Sequence, residues 1–313
     1  MKQPLVVIVG PTAVGKTKTS IELAKRLNGE IISGDSMQIY RGMDIGTAKI
    51  TKEEMQGIKH HLIDIKNPDE SFSVAEFQML VKEAIENIAS LGKLPILVGG
   101  TGLYVQSVIY DYEFNDADKD EDYRKKLEQL AKKNGEMYLY DRLEKVDKEA
   151  AKHIHPHNVR RVIRALEVYH TTSIPFSRWQ RQKKDSPYNL TLIGLEMERA
   201  LLYERINERV DEMVEKGLIE EVRKLHALGF RNCQALQAIG YKEIYRALDG
   251  EITLDEAIEL LKRNSRRYAK RQFTWFKNKM DVTWFDMTYQ PFDQIFTEIL
   301  QYVAGKQSSF KKY

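Results

Sequence analysis

The sequence predicts an α/β fold in which a parallel sheet is covered by helices and carries a helical insertion domain. Over the first hundred residues, short apolar runs alternate with helix-like patterns, which is typical of a parallel sheet covered on both faces. Near residue 112 the pattern changes to mixed-charge helical sequence, and an apolar run returns shortly after Ser186-Pro187. We therefore expect residues 1–112 and 188–313 to form the core with its C-terminal helices, and residues 113–187 to form the insertion.

The first part of the core is predicted to alternate strands and helices. The apolar run at residues 5–9 predicts a buried first strand. Ser73 has a glutamate, Glu76, three residues further on, and this capping box predicts the start of a helix. The elements predicted in this part are strands at 5–9, 30–33, 61–65 and 94–98 and helices at 16–27 and 73–91.

The rest of the chain is predicted to be mainly helical, with one further strand. The mixed-charge sequence at 115–133 and the segment 147–169 predict the helices of the insertion. The apolar run at 190–195 predicts a strand that returns to the sheet. Amphipathic helices are predicted at 201–216, 218–228 and 253–277, and the polar residues 305–313 are expected to fray.

Bulk composition excludes several classes of protein. The chain has 313 residues, 42% hydrophobic and 30% charged, which is typical of a soluble globular protein. No apolar run approaches the roughly 18–20 residues that a membrane helix needs. Cys233 is the only cysteine, so a disulfide within the chain is impossible and a cysteine-based metal site is disfavoured. We expect a cytoplasmic protein without a membrane segment.

Positive charge is concentrated in two segments, although the net charge is only +3. Residues 152–184 contain eight basic residues and one acid, and residues 262–279 contain eight basic residues and no acid. Such segments in a nearly neutral chain favour a polyanionic partner. The alternative is that both segments are solvated helix faces.

A phosphate-binding loop follows the first predicted strand and opens the first predicted helix. Its pattern is G-x-x-x-x-G-K-T, and strand and helix stand where the motif requires them, which predicts a P-loop NTPase-like core. The glycine-rich turn aims backbone N–H groups at an oligophosphate, the lysine adds a full charge, and the threonine hydroxyl can bind Mg²⁺. The loop consists of Gly10, Pro11, Thr12, Ala13, Val14, Gly15, Lys16 and Thr17.

A P-loop does not by itself identify the reaction, and a nucleotide kinase or ATPase is the default expectation. Two features count against it. The strand at 94–98 runs into Gly99-Gly100 instead of ending in the usual acidic Mg²⁺ ligand, and no arginine-rich lid is recognisable near the loop. This second glycine-rich turn suits the close approach of an anion.

A carboxylate follows the second predicted strand. Ligands of an open parallel sheet bind at the carboxyl ends of its strands, so Asp35 is expected near the P-loop together with Ser36 and Gln38. A carboxylate there can accept a proton from an amine, and Gln38 can hydrogen-bond the edge of a base. The alternative for Asp35 is a turn or helix cap.

Seven groups of motifs are spread over nearly the whole chain: 10–17, 33–49, 60–64, 98–104, 154–156 with 160–168, 237–243 and 267–276. In these segments, and in their order along the chain, the sequence resembles the tRNA dimethylallyltransferase family. One departure is His157, where the family usually has Asn after His-Pro.

The resemblance implies a reaction and roles for individual residues. A dimethylallyl group would pass from dimethylallyl diphosphate to the exocyclic amine of the adenosine 3′-adjacent to the anticodon, in tRNAs that read codons beginning with U. The P-loop would hold the diphosphate with Mg²⁺ and Thr17 as a metal ligand. Asp35 would be the general base, and Thr101 would help to place the reacting groups.

The resemblance also implies a grip on the anticodon stem-loop of tRNA by the insertion and the basic helices. The enzyme is expected to be a monomer, because one stem-loop per enzyme needs no symmetry. The tRNA-binding residues implied are Asp35, Ser36, Met37, Gln38, Thr101, Arg124, Arg160, Arg161 and Arg164.

Three alternative functions and one alternative site stay open. The chain could be a P-loop small-molecule kinase, an adenylate dimethylallyltransferase acting on free nucleotide, or a tRNA-binding protein without catalysis. The two basic segments disfavour the first two, and the P-loop with Asp35 disfavours the third. A metal site at His153, His155 and His157 is conceivable, but no Cys or carboxylate cluster accompanies these residues in the sequence.

Overall fold

A computed structural model describes residues 2–112, 120–179, 185–231 and 233–307. The chain divides into two compact units, one formed by residues 1–111 and 186–313 and the other by residues 112–185. In chain order the elements are β1 (Gln3–Val9), α1 (Lys16–Arg26), β2 (Gly29–Ser33), β3 (His60–His61), α2 (Val74–Ser90), β4 (Leu94–Gly99), α3 (Gly102–Ile109), α4 (Glu121–Asn134), α5 (Glu136–Val146), α6 (Lys148–His153), α7 (Val159–Thr172), α8 (Phe176–Trp179), β5 (Tyr188–Glu196), α9 (Arg199–Glu215), α10 (Leu218–Ala227), α11 (Tyr241–Leu248), α12 (Leu254–Lys279), β6 (Thr283–Asp286) and α13 (Phe292–Lys306).

The larger unit is built on a parallel sheet of six strands in the order β3-β2-β4-β1-β5-β6. β1 lies in the interior, where Val7 is paired with Leu97 of β4 and with Leu192 of β5. Successive side chains of β1 enter opposite core clusters, Leu5 and Val7 on one face and Val6 and Ile8 on the other. A strand buried on both faces has to be apolar throughout, which explains its uninterrupted apolar run.

Helix ends follow the capping signals in the sequence. The Ser73 side chain accepts the N–H of Glu76 at the start of α2, and the Thr253 side chain accepts the N–H of Glu256 at the start of α12. Each of these bonds satisfies one of the N–H groups that a helix leaves unpaired in its first turn. The long helix α12 is thereby fixed at its start, and its residues 268–272 reach the carboxyl edge of the sheet.

The strand predicted at 61–65 is wrong beyond its first residue. β3 comprises only His60 and His61, since Leu62 and Asp64 adopt left-handed backbone conformations with φ of 61° and 55°. A strand cannot continue through such residues. β6 and α13, which complete the sheet and cover it, were not predicted from the sequence.

The smaller unit is helical over its described residues. Helices α4, α5 and α7 enclose an apolar cluster that includes Leu127, Leu143 and Leu166. The Asn158 side chain accepts the N–H of Arg161 at the start of α7, so the turn that contains His157 ends in a helix cap. Residues 113–119 and 180–184, which include part of a predicted helix and of a basic segment, lie outside the described residues.

Among the described residues, no helix combines the length and the apolar character that a membrane crossing requires.

Candidate active site

The P-loop connects the buried strand β1 to helix α1. Gly10 has a φ of 144°, and a Cβ atom at this position would lie 2.5 Å from the carbonyl oxygen of Leu195 on β5. Gly15 has a φ of 108° and immediately precedes α1. Only glycine fits both positions without strain, so the loop can fold tightly over the end of β1 and leave the helix N-terminus open to an anion.

Lys16 is folded back onto the loop that precedes it. Its Nζ donates to the carbonyl oxygens of Gly10, at 2.9 Å, and Pro11, at 2.6 Å. Burial, and secondarily the charge of Arg209, lower the pKa of Lys16 to about 7. The charge of Asp35 acts to raise this pKa but does not offset the burial, and a bound oligophosphate would add further negative charge beside the lysine.

Asp35 lies in the turn after β2, as predicted. Its Oδ1 accepts the N–H of Met37 at 2.8 Å, so the carboxylate does form the turn contact of the alternative interpretation. It also lines a cavity, and burial raises its pKa even though Lys16 and Arg209 act in the opposite direction. A half-buried carboxylate with a raised pKa is a better proton acceptor than one with an ordinary pKa.

Two adjoining cavities share Thr12, Asp35, Ala48 and Tyr268. The main cavity has a volume of about 330 Å³ and is lined on one side by apolar side chains, among them Ile206, Val210 and Leu261. The small cavity has a volume of about 100 Å³ and is lined by Lys16 and by further P-loop and sheet-end residues. Polar groups for an anion and apolar surface for a hydrocarbon chain therefore occur side by side.

Arg209 is a site residue that the sequence analysis missed. It projects from α9 into the main cavity, with its guanidinium 3.5 Å from the hydroxyl oxygen of Thr12. Burial lowers its pKa, while Asp35 acts to raise it. With Lys16 it supplies two cationic groups beside one carboxylate, an arrangement that a further anion would balance. The sequence carried one signal for Arg209: it is a charged residue on the helix face that also carries the apolar residues Ile206, Val210 and Met213.

Helix α12 contributes the second group of missed residues. Gln272 is buried and joins the two glycine-rich loops: its Oε1 accepts the N–H of Thr12 at 2.9 Å, and its Nε2 donates to the carbonyl of Gly100 at 3.0 Å. Tyr268 lies against the cavities, where burial and the charge of Asp35 raise its pKa to about 12. The aromatic residues of this helix therefore differ in role, since Phe276 is fully buried in the core whereas Tyr268 faces the cavities.

The other predicted residues of the core unit surround Asp35. Ser36 and Met37 line the main cavity, and the Ser36 N–H donates to Thr101 Oγ1 at 3.4 Å. Gln38 lines the small cavity, but its amide is engaged: Nε2 donates to the carbonyls of Thr47 and Ala48, at 3.2 and 3.3 Å. Its predicted contact with a base stays a prediction.

The four arginines predicted to bind tRNA lie in the smaller unit. Arg124 and Arg164 form ion pairs with the fully buried Glu167. Arg160 and Arg161 are exposed on α7 and form no ion pair with any described residue. A direct tRNA contact stays a prediction for all four.

No group of three or more potential metal ligands among His, Cys, Asp and Glu exists within the described ranges. His153, His155 and His157 are exposed, and the ring of His157 pairs with Glu136. Thr17, Ser33 and Asp35, whose side chains carry oxygen atoms, are among the residues that line the small cavity.

A P-loop at the end of a central strand, with a half-buried carboxylate and an arginine around one cavity, defines a P-loop protein of the α/β class. The family model described as IPP transferase matches residues 38–279. A tRNA dimethylallyltransferase of Geobacillus thermodenitrificans is 62% identical over 308 residues, which cover 98% of each chain. This chain belongs to the IPP transferase family.

Solved structures agree with this assignment. The crystal structure of the full-length tRNA isopentenylpyrophosphate transferase of Bacillus halodurans has 61% sequence identity and a TM-score of 0.77, and the match covers 99% of each chain. A eukaryotic dimethylallyltransferase acting on tRNA has 31% identity and a TM-score of 0.82, with 98% of this chain and 79% of that chain covered. The α/β fold with a P-loop is therefore the fold of the family.

Proposed function

We propose that the chain transfers a dimethylallyl group from dimethylallyl diphosphate to the exocyclic amine of an adenosine in tRNA and releases diphosphate. The observation that carries this proposal is one cavity in which Asp35 and Arg209 stand beside the P-loop and an apolar wall. The adenosine is the one 3′-adjacent to the anticodon, in tRNAs that read codons beginning with U. The named relatives, which act on tRNA, support this choice of substrate.

The diphosphate binds at the P-loop. Backbone N–H groups of the loop, Lys16 and Arg209 face the oxygen atoms on which negative charge grows as the allylic carbon–oxygen bond breaks. Lys16 exchanges its contacts with two backbone carbonyls for contacts with this anion. The hydrocarbon chain lies along the apolar wall of the main cavity, which a nucleoside triphosphate would leave unused.

Asp35 accepts the proton of the nucleophile. The adenosine nitrogen forms the new bond to the allylic carbon, the electron pair of the broken bond leaves with the diphosphate, and the proton passes from nitrogen to the Asp35 carboxylate. The amine is a weak nucleophile because its lone pair is delocalised into the ring, so a placed base contributes about 10²–10⁴-fold. Thr101, next to Ser36, helps to hold the reacting groups.

The small cavity fits Mg²⁺ bound together with the diphosphate. Thr17 and Ser33 offer hydroxyl oxygens, the ligand type that Mg²⁺ prefers, but neither carries a charge. The ion would therefore be held by Thr17 and its neighbours jointly with diphosphate oxygens. When bound, it supplies positive charge next to the leaving group.

The insertion and the basic helix α12 bind the anticodon stem-loop. Exposed Arg160 and Arg161 are suited to phosphate contacts, and removal of the adenosine from its stack costs a few kcal/mol that such contacts offset. One monomer is sufficient for one stem-loop.

The test is incubation of the purified chain with Mg²⁺, labelled dimethylallyl diphosphate and either unmodified tRNA or AMP, with ATP hydrolysis followed in parallel. We expect label in tRNA only, appearing about 10²–10⁴-fold more slowly with the Asp35→Asn variant. Label in AMP would identify an enzyme of free nucleotides. ATP hydrolysis without label transfer would refute the proposal and favour a kinase or ATPase.

A further inference from the structure

The carboxylate of Glu221 on α10 accepts four hydrogen bonds, three from residues 44–46 and one from Tyr241. Its Oε2 accepts the backbone N–H groups of Asp44 and Ile45, both at 2.8 Å, and its Oε1 accepts the N–H of Gly46 at 3.0 Å. The hydroxyl of Tyr241, at the start of α11, donates to the same Oε1 at 2.5 Å. Bonds to an ionised acceptor are the strong class of hydrogen bond, and this acceptor has no unused oxygen.

The segment held in this way, residues 44–48, is defined here as the cavity loop. Gly46 lies against the ring of Tyr241, where an added Cβ atom would be 2.6 Å from Cε2 of the ring. The adjoining Lys49 fixes the other end, since its nearly buried Nζ donates to the carbonyl of Tyr40 at 2.7 Å and pairs with Asp44 at 2.6 Å. The loop is thus attached to helices α10 and α11 through Glu221 and Tyr241, and Lys49 holds its other end through Tyr40 and Asp44.

The cavity loop forms part of the proposed site, whereas Glu221 does not line either cavity. Gly46, Thr47 and Ala48 line the main cavity. The carbonyls of Thr47 and Ala48 also accept the amide of Gln38, which in turn accepts the hydroxyl of Ser33 at 3.2 Å. A displaced cavity loop would therefore change one cavity wall and release Gln38.

The P-loop is not attached to this network. No hydrogen bond joins the cavity loop to residues 10–17 among the residues that the structure describes. The P-loop is held instead by the sheet and by Gln272 of α12. Ala48 and Gln38 line the small cavity as well, but the P-loop keeps its own contacts, so loss of the contacts to Glu221 should leave the P-loop in place to bind the diphosphate.

We propose that Glu221 is a positioning residue, which holds the cavity loop in the form that receives the adenosine. This inference rests on the proposed function and assigns to Glu221 the tRNA end of the reaction. A glutamine cannot replace the glutamate, because its NH₂ group would face the N–H groups of the loop and leave donors unpaired.

The experiment compares Glu221→Gln with Glu220→Gln, its matched control. Glu220 is the neighbouring residue and is exposed, and its one ion pair within the described part of the chain is with Arg223 on the surface at 3.5 Å. We expect Glu221→Gln to lower kcat/KM for tRNA at least tenfold and to leave the Kd of inorganic diphosphate within twofold. Tyr241→Phe, which removes one bond of four, should give a smaller loss in the same direction, and Glu220→Gln no change.

Hydrogen exchange of the backbone amides supplies a readout that does not depend on activity. In Glu221→Gln, amides 44–46 should lose protection while those of β1 keep it. Equal kcat/KM values in Glu221→Gln and Glu220→Gln would overturn the positioning role, and so would a loss of protection throughout the sheet with a parallel loss of diphosphate binding. A wild-type chain that labels no tRNA would overturn the proposed function and this role together, whereas an active wild type confines any failure to Glu221.

Discussion

Replacement of Glu167 by Gln should destabilise the smaller unit without affecting the sheet. The Glu167 side chain is fully buried, and its carboxylate accepts Nε of Arg124 at 2.7 Å, a second nitrogen of Arg124 at 2.9 Å, a nitrogen of Arg164 at 2.6 Å and the N–H of Asp120 at 3.1 Å. Burial acts to raise the pKa of Glu167, but the hydrogen bonds from the two arginines outweigh it and hold this pKa below its ordinary value.

The magnitude follows from these contacts. Removal of one partner of a buried ion pair costs about 3–5 kcal/mol. Arg124 and Arg164 are 27% and 36% exposed in their side chains and can regain water, so we expect the lower end of that range. About 3 kcal/mol corresponds to a change of about 10²-fold in an opening equilibrium. Because the pKa is lowered in the folded chain, the stabilisation is present above about pH 4.3 and is lost as the pH falls below it.

The assay is hydrogen exchange of the full-length chain at neutral pH. In Glu167→Gln the amides of α4 and α7 should exchange about 10²-fold faster, while those of β1 and β4 stay unchanged. Glu149→Gln is the matched control, because Glu149 forms an exposed pair with Lys152 in the same unit. An acceleration below threefold in α4 and α7, equal to that of the control, would refute the reasoning that this carboxylate holds the helices together.

Three further predictions concern the reaction and tRNA binding. Asp35→Asn should lower kcat by about 10²–10⁴-fold at nearly unchanged tRNA affinity. In the wild type, the acid limb of the pH profile of kcat/KM should lie above about pH 3.9, because the pKa of Asp35 is raised and its ionised form is required. Gly100→Ala should raise the Kd of inorganic diphosphate in calorimetry, because the new Cβ atom would lie 2.0 Å from Nε2 of Gln272 and displace the side chain that bonds the P-loop. Replacement of Arg160 and Arg161 by Ala should reduce the slope of log K for tRNA against log salt by roughly 1.5.

Each of these predictions has an outcome that contradicts it. An equal loss of kcat and tRNA affinity in Asp35→Asn would make Asp35 a binding residue. Gly305→Ala, where an added Cβ atom meets nothing within 4 Å, is the control for Gly100→Ala and should leave the Kd unchanged. An unchanged salt slope would show that neither arginine on α7 contacts a phosphate.

The features that could be predicted from the sequence are those fixed by local chemistry. Burial on both faces makes β1 an apolar run, and the P-loop needs glycine at two positions. These two local patterns together predict the strand, the loop and the helix that follows it. Asp35 could be placed because parallel strands end at one edge of the sheet. The caps of α2 and α12 depend on residues only three apart in the chain.

The features that could not be predicted depend on contacts between distant segments. Arg209 is about two hundred residues from the P-loop, and a single arginine in an amphipathic helix is usually solvated. Glu221 looks like any surface glutamate until the cavity loop is seen against it. β6 has only four residues, and none of them is fully buried. It therefore lacks the apolar run by which the longer strands can be recognised.

The order of the strands has a consequence for synthesis on the ribosome. β1 is hydrogen-bonded to β4 on one side and to β5 on the other, yet the 74 residues of the smaller unit are translated between β4 and β5. At about 5–20 residues per second this interval lasts roughly 4–15 s. During it, β3, β2, β4 and β1 can already pair, and β1 forms an open edge with apolar side chains on both faces. The position of the insertion therefore creates a period in which the nascent chain depends on the ribosome surface or on a chaperone to keep this edge from pairing with another strand.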